Sequence, residues 1–268
     1  MIEMPIIDLP LANRNIIITR SKEGISDIKK LFTNKGANIY DLPAISIGDP
    51  DDLQPLDEAL NEINDFHWII FSSSNGIKFI DQRLRYFNSS LKECSKQIKI
   101  AVVGEKTAKT LDEFGIQADF IPPEFIAESL IENFPISGYG LRVFLPRVQT
   151  GGRNLIAEEF RKAGSRVLEV AAYETRCPDS IPKETIDLIA NGKVDALIFS
   201  SGKTVSNSAF LLEKELGKEW LKYLDQAKLL TIGPQTSRVC KEIFGRVDRQ
   251  AQKYTFEGLL DEAINIFN

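Results

Sequence analysis

One histidine, three cysteines, two methionines and two tryptophans in 268 residues leave little of the side-chain chemistry that metal and redox sites need. Cys94, Cys177 and Cys240 lie far apart with no Cys-x-x-Cys pair, and His67 stands alone, so neither a zinc spacing nor a disulfide framework is present. Metal and redox chemistry are not expected. His67 sits between Phe66 and Trp68 at the entrance to an apolar strand, where a structural role is favoured over that of a base. Long apolar runs are also missing. The most apolar windows, Trp68-Ile-Ile-Phe71 and Ile100-Ala-Val-Val103, break within a few residues, far short of the ~18 a spanning helix needs. The first residues carry acids and no basic stretch followed by an apolar core, so no signal peptide is expected and the chain is placed in the cytosol. There is no basic excess: 33 Lys+Arg against 38 Asp+Glu give a net charge of -5, which argues against general nucleic-acid binding but leaves a local basic cleft open.

What remains is an ordinary globular composition, 43% hydrophobic and 26% charged. At roughly 150 residues per domain, the length predicts two compact units. The halves repeat each other. Asn15-Ile-Ile-Ile-Thr-Arg20 matches Leu141-Arg-Val-Phe-Leu-Pro-Arg147 at an offset of 127 between the arginines. Trp68-Ile-Ile-Phe-Ser-Ser-Ser74 matches Ala196-Leu-Ile-Phe-Ser-Ser-Gly202 at 128, and Val103-Gly-Glu-Lys-Thr-Ala108 matches Ile232-Gly-Pro-Gln-Thr-Ser237 at 129. Phe125-Ile-Ala-Glu-Ser-Leu130 answers Tyr254-Thr-Phe-Glu-Gly-Leu259, each predicted to open a terminal amphipathic helix. Between the strands, helical periodicity runs over 25–36 and 155–164, each stretch stopped by a glycine. Strands apolar on both faces and separated by helices imply an α/β fold with two doubly wound parallel sheets, and two such units suggest a ligand cleft between them.

In such sheets ligands meet the loops at the carboxyl ends of strands. Ser72, Ser73 and Asn75 in one half and Ser200, Ser201 and Lys203 in the other follow a strand and open a helix, where hydroxyls and free amides suit carboxylate or phosphate oxygens. Helix capping alone would also explain each loop, and only their duplication favours a ligand role. Gly104 with Thr107 and Gly233 with Thr236 form a second duplicated strand-to-helix turn. The segment Leu145-Pro-Arg-Val-Gln-Thr-Gly-Gly-Arg153 sets Arg147 and Arg153 beside Gly151 and Gly152, a turn able to wrap an anion. Tyr173 ends a strand shortly after it and reads equally well as a weak acid or as a wedge between domains. Gly138-Tyr-Gly140 precedes a strand and lacks a third glycine, and Gly202-Lys-Thr204 lacks the earlier glycine of a P-loop, so no nucleotide site is supported.

In their order and spacing these segments resemble the uroporphyrinogen-III synthase family from about Asn15 to Ile266. Serine replaces threonine at Ser72 and Ser200 and alanine at Ser237, and Lys203 stands where many relatives carry serine. A cut made on the repeat alone would fall near Pro135. The resemblance instead implies a discontinuous domain, 1–44 plus 174–268, around a continuous one, 45–173, joined by two linker strands. It implies a cofactor-free enzyme that cyclises the linear tetrapyrrole hydroxymethylbilane to uroporphyrinogen III, with inversion of the last ring and loss of water. Tyr173 becomes the candidate acid. Arg20, Ser72, Ser73, Asn75, Gly104, Thr107, Arg147, Gly152, Arg153, Ser200, Ser201, Lys203, Gly233 and Thr236 become candidate substrate ligands. The implied partners are that polycarboxylate substrate and, transiently, the enzyme that makes it, with no nucleic acid or membrane; a monomer is the simplest expectation. A two-domain anion-binding module without catalysis is the alternative from another class, and a glycosyltransferase would want a nucleotide-diphosphate site.

Overall fold

The structure is a computed structural model that describes residues 9–20, 25–152 and 154–268. The chain begins with β1 (Asn15–Thr19), α1 (Ile25–Thr33), β2 (Asn38–Asp41), β3 (Ser46–Gly48), α2 (Gln54–Asn61), β4 (Trp68–Phe71) and α3 (Ser74–Tyr86). It continues through α4 (Leu91–Cys94), β5 (Lys99–Val102), α5 (Glu105–Glu113), α6 (Ala127–Glu132), β6 (Arg142–Val148), α7 (Leu155–Lys162) and β7 (Arg166–Arg176). The last part holds α8 (Lys183–Ala190), β8 (Ala196–Phe199), α9 (Gly202–Leu216), β9 (Lys228–Thr231), α10 (Pro234–Phe244), β10 (Arg249–Gln250) and α11 (Phe256–Phe267). Among the described residues no helix is long and apolar enough to cross a membrane.

Two compact units result, Met1–Ser46 with Arg176–Asn268, and Ile47–Thr175. The first holds a five-stranded sheet in the order β10-β9-β8-β1-β2, parallel throughout. The second is built on β3-β7-β6-β4-β5, with β7, β6, β4 and β5 mutually parallel. Unbroken Val/Ile/Leu/Phe runs suit such strands because both faces are covered. Ile16 and Ile18 pack with α1 and α11 on one face of the first sheet, while Ile17, Leu197 and Phe199 pack with α8, α9 and α10 on the other. The second sheet repeats this: Trp68, Ile70 and Val143 face α6 and α7, and Ile69, Phe71 and Phe144 face α2, α3 and α5.

The duplication extends to single hydrogen bonds. Asp248 accepts the Leu229 N–H at 2.8 Å, and Asp119 accepts the Ile100 N–H at 2.8 Å, each pinning the second residue of a strand. Arg249 pairs with Leu230, and Phe120 bridges Ala101 in the same sense, although in the second unit the edge shrinks to that single bridge. At the strand entrance, Asp195 accepts the Asn15 N–H at 2.8 Å; His67 Nδ1 accepts the Arg142 N–H at 2.9 Å in the equivalent place. The sole histidine thus joins two strand ends, and its backbone extends the same ladder through Lys99 N–H to His67 C=O at 3.1 Å.

The helices predicted over 25–36 and 155–164 stop earlier, at Thr33 and Lys162, with Gly36 and Gly164 in the left-handed region at φ of 92° and 90°. The two terminal helices differ in length, which the repeat did not suggest. On α11 the Thr255 hydroxyl accepts the Gly258 N–H at 3.1 Å and the helix runs 12 residues. On α6 the capping position is Ile126, without a side-chain bond, and the helix ends after 6 residues, shortly before Pro135.

Candidate functional site

Parallel strands bring the duplicated loops to one edge of each sheet. In the first unit β9, β8 and β1 are neighbours, so Gly233, Ser200 and Arg20 emerge side by side. In the second, β5, β4 and β6 do the same for Gly104, Ser72 and Arg147. The sequence-predicted residues therefore assemble as two matching clusters, one on each sheet. Arg153 lies outside the described residues.

Several of these side chains are committed to their own helices. Ser201 accepts the Thr204 N–H at 3.2 Å and Thr204 Oγ1 accepts the Ser201 N–H at 3.2 Å, a reciprocal cap. Ser73 accepts the Asn75 N–H at 3.2 Å as the cap of α3. Ser72 and Lys203 are exposed, and Ser200 and Asn75 half-buried. Gly104 and Gly233 occupy the capping positions of α5 and α10, where no side chain takes the helix N–H groups. Thr107 and Thr236 point inward instead, 5% and 4% exposed. Each edge therefore presents hydroxyls and helix N-termini, which favour anionic oxygens.

The two arginines differ. Arg147 Nη1 donates to Asn154 Oδ1 at 2.6 Å and pairs with Glu169, and its Nη2 donates to the Gly151 carbonyl at 3.0 Å. Glu169 also holds Arg161 at 2.9 Å. Arg147 thereby folds the Gly151-Gly152 turn, whose φ of 82° and 95° only glycine adopts readily, back onto the strand. A register shift between β6 and β7 at Arg147/Val148 sits beside this knot. Among the described residues Arg20 has no such partners. Its guanidinium lies 5.0 Å from the Phe256 ring centroid, and partial burial pulls its pKa below the ordinary arginine value.

Tyr173 is 7% exposed, in the apolar core of the second unit, with its ring stacked on Phe79 at 5.8 Å and its carbonyl accepting the Gln149 N–H at 2.8 Å. Burial raises the pKa of all three thiols, that of Cys240 up to about 12. Sequence reasoning missed Glu169 and Asn154, which decide what Arg147 does, and Phe256, which flanks Arg20. The Tyr254-Thr-Phe256 segment carried a signal, since two aromatics at a helix start rarely stand there for capping.

The chain matches the family model described as "Uroporphyrinogen-III synthase HemD" over residues 26–261. It is 41% identical to a uroporphyrinogen-III synthase of Synechococcus elongatus over 94% of either chain. It is 27% identical to a putative uroporphyrinogen-III synthase of Methanothermobacter thermautotrophicus, over 91% of this chain and 94% of that one. In fold it is similar to the crystal structure of uroporphyrinogen-III synthetase from Helicobacter pylori, with a TM-score of 0.63 at 18% identity over 94% of this chain and 99% of that one. A mutant uroporphyrinogen III synthase from Thermus thermophilus gives 0.55 at 16% identity, over 95% and 98%. A family match spanning most of the length, on a chain whose two sheets repeat one loop constellation, shows that this chain belongs to the uroporphyrinogen-III synthase family.

Proposed function

We propose that the polar edges of the two sheets hold the substrate of the family reaction, the cyclisation of hydroxymethylbilane in tetrapyrrole biosynthesis. In this reading the leaving hydroxyl departs from the first ring as water, producing an azafulvene. The substituted carbon of the last ring attacks it, and the resulting spiro intermediate fragments and recloses with that ring inverted. Unassisted, the chain closes to the uninverted isomer, so orientation contributes more than acid strength. The hydroxyls of Ser72 and Ser200 and the backbone amides of Ser73, Asn75, Gly104, Thr107, Ser201, Gly233 and Thr236, with Arg20 and Lys203, take the acetate and propionate arms; the turn held by Arg147 contributes Gly152. The observation that carries the reading is the duplicated set itself: an arginine, a serine pair and a Gly-x-x-Thr turn at the ends of three adjacent strands in both sheets. Tyr173 is the proposed proton donor to the leaving hydroxyl. A cytosolic location and transient contact with the enzyme that supplies hydroxymethylbilane go with a substrate that closes wrongly when left in water.

The test supplies hydroxymethylbilane to the purified protein and separates type III from type I product. Type III should dominate; type I alone at the blank rate overturns the reading. Tyr173→Phe should keep the fold and lower turnover roughly 10²–10⁴-fold, and an unchanged turnover number removes the tyrosine from the mechanism.

A further inference from the structure

The duplication supplies an internal comparison for the two arginines. Register sets Leu145 opposite Glu169 in β6–β7 and Ile18 opposite Asp41 in β1–β2, so each sheet places an acid two residues behind its arginine. In the second unit that acid binds Arg147 and Arg161. In the first, Asp41 binds Lys29 at 2.6 Å. The lysine makes the difference: with Phe32 aligned on Phe160, both buried, Lys29 falls where α7 carries Ala157. No carboxylate among the described residues pairs with Arg20.

Arg20 instead lines a pocket of about 450 Å³ with Ile28, Leu31, Ile232, Tyr254 and Phe256. Tyr254 is 63% exposed, and a Cβ on Gly233 would stand 3.4 Å from its ring, so no side chain separates the tyrosine from the loop after β9. Asp27 and Glu257 stand at the rim. Neither forms an ion pair with Arg20, and Glu257 is engaged by its own backbone N–H and the Thr255 hydroxyl. A partly desolvated cation with no counter-ion among the described residues, against the Phe256 ring in a pocket that Tyr254 also lines, is short of an anion. The volume admits one heteroaromatic ring with its acidic arms and not a whole tetrapyrrole.

We propose that Arg20, Phe256 and Tyr254 form a subsite that takes one pyrrole ring of the substrate by a ring carboxylate, while Arg147, the duplicate of Arg20, serves as a brace for its own loop. The inference rests on the synthase reading for the identity of the ring, but the subsite can be probed without turnover.

The probe is a monopyrrole bearing acetate and propionate arms, titrated into isotope-labelled protein. It should shift the amide signals of Gly233, Phe256 and Glu257. Arg20→Gln should abolish these shifts, and Tyr254→Ala, an exposed position at which folding is not at risk, should weaken them. With hydroxymethylbilane, Arg20→Gln should raise KM roughly 10- to 100-fold with a smaller change in kcat, the loss expected for one charge-assisted contact. Arg147→Gln should lower the melting temperature more than Arg20→Gln does. Absent amide shifts, or an unchanged KM in Arg20→Gln beside normal type III production by the parent, overturns the subsite. A parent that makes no type III product overturns the synthase reading instead, and the monopyrrole titration still decides the subsite.

Discussion

Replacing Glu169 by alanine removes the acid that both Arg147 and Arg161 use. The side chains of Glu169 and Arg147 are 19% and 22% exposed, so this pair is mostly shielded from water; Arg161 is 47% exposed. A charge-assisted contact at that depth contributes about 1.5 kcal/mol or a little more, and the shallower Arg161 pair about 0.5 kcal/mol. Arg147 keeps Asn154 and the Gly151 carbonyl, which limits the damage. The expected loss is therefore about 2 kcal/mol, or roughly 4–8 °C in melting temperature for a chain of this size. Calorimetry of Glu169→Ala measures it, with Glu219→Ala as control, because the Glu219–Lys222 pair is largely in water and its loss should barely move the transition. A double-mutant cycle with Arg147→Gln isolates the pair and should give a coupling of about 1 kcal/mol. Strict additivity would refute the reasoning, because it would mean that Arg147 is not held by Glu169 in solution and is available to the substrate.

Gly258→Ala places a Cβ 2.1 Å from the Lys253 carbonyl oxygen, so the backbone must move and α11, which buries Leu259, Leu260 and Ala263, moves with it. A loss of about 3 kcal/mol in urea unfolding is expected, and one below about 1 kcal/mol would show that the turn relaxes. Burial pushes the Cys240 thiol from its ordinary 9.0 up to about 12. Between those values the unfolded chain releases a proton that the folded chain keeps, so this contribution is complete below pH 9 and is lost as pH rises, by at most about 1.4 kcal/mol per pH unit. The stability gap between the parent and Cys240→Ala should narrow from about pH 8.5 to 10.5, and a constant gap would contradict the assignment. His67→Ala removes the acceptor for the Arg142 N–H and should cost about 1 kcal/mol while leaving the turnover number unchanged. A collapse of turnover in the folded variant would return the histidine to the mechanism.

The strands and their loops were legible in the sequence because both carry local signals. Val/Ile/Phe runs define β4 and β8, and the serine after each opens the next helix by capping it, a bond spanning two or three residues. Pairing was not legible. Ile16 lies opposite Ala196 and Ile18 opposite Ile198 in the β1–β8 register, contacts about 180 residues apart in sequence that no periodicity announces. The short length of α6 was not legible, because its match to α11 hid the absence of a cap at Ile126.

By itself the sequence determined the α/β class, the duplication with offsets of 127 to 129, the positions of the strand-to-helix turns and the scarcity of thiol and imidazole groups. Those are properties of composition and of neighbouring residues. The repeat taken alone would cut the chain near Pro135; the tertiary structure breaks it after Ser46 and Thr175, because β1 completes a sheet whose other strands lie from Ala196 onward or immediately beside it. It also decided the fates of Arg20 and Arg147, which are identical as repeats. One meets Glu169 across a strand pair; the other loses the equivalent Asp41 to Lys29 and faces Phe256. A side chain's charge is written in its own position, but what neutralises it is set by which distant strand and helix the fold lays beside it.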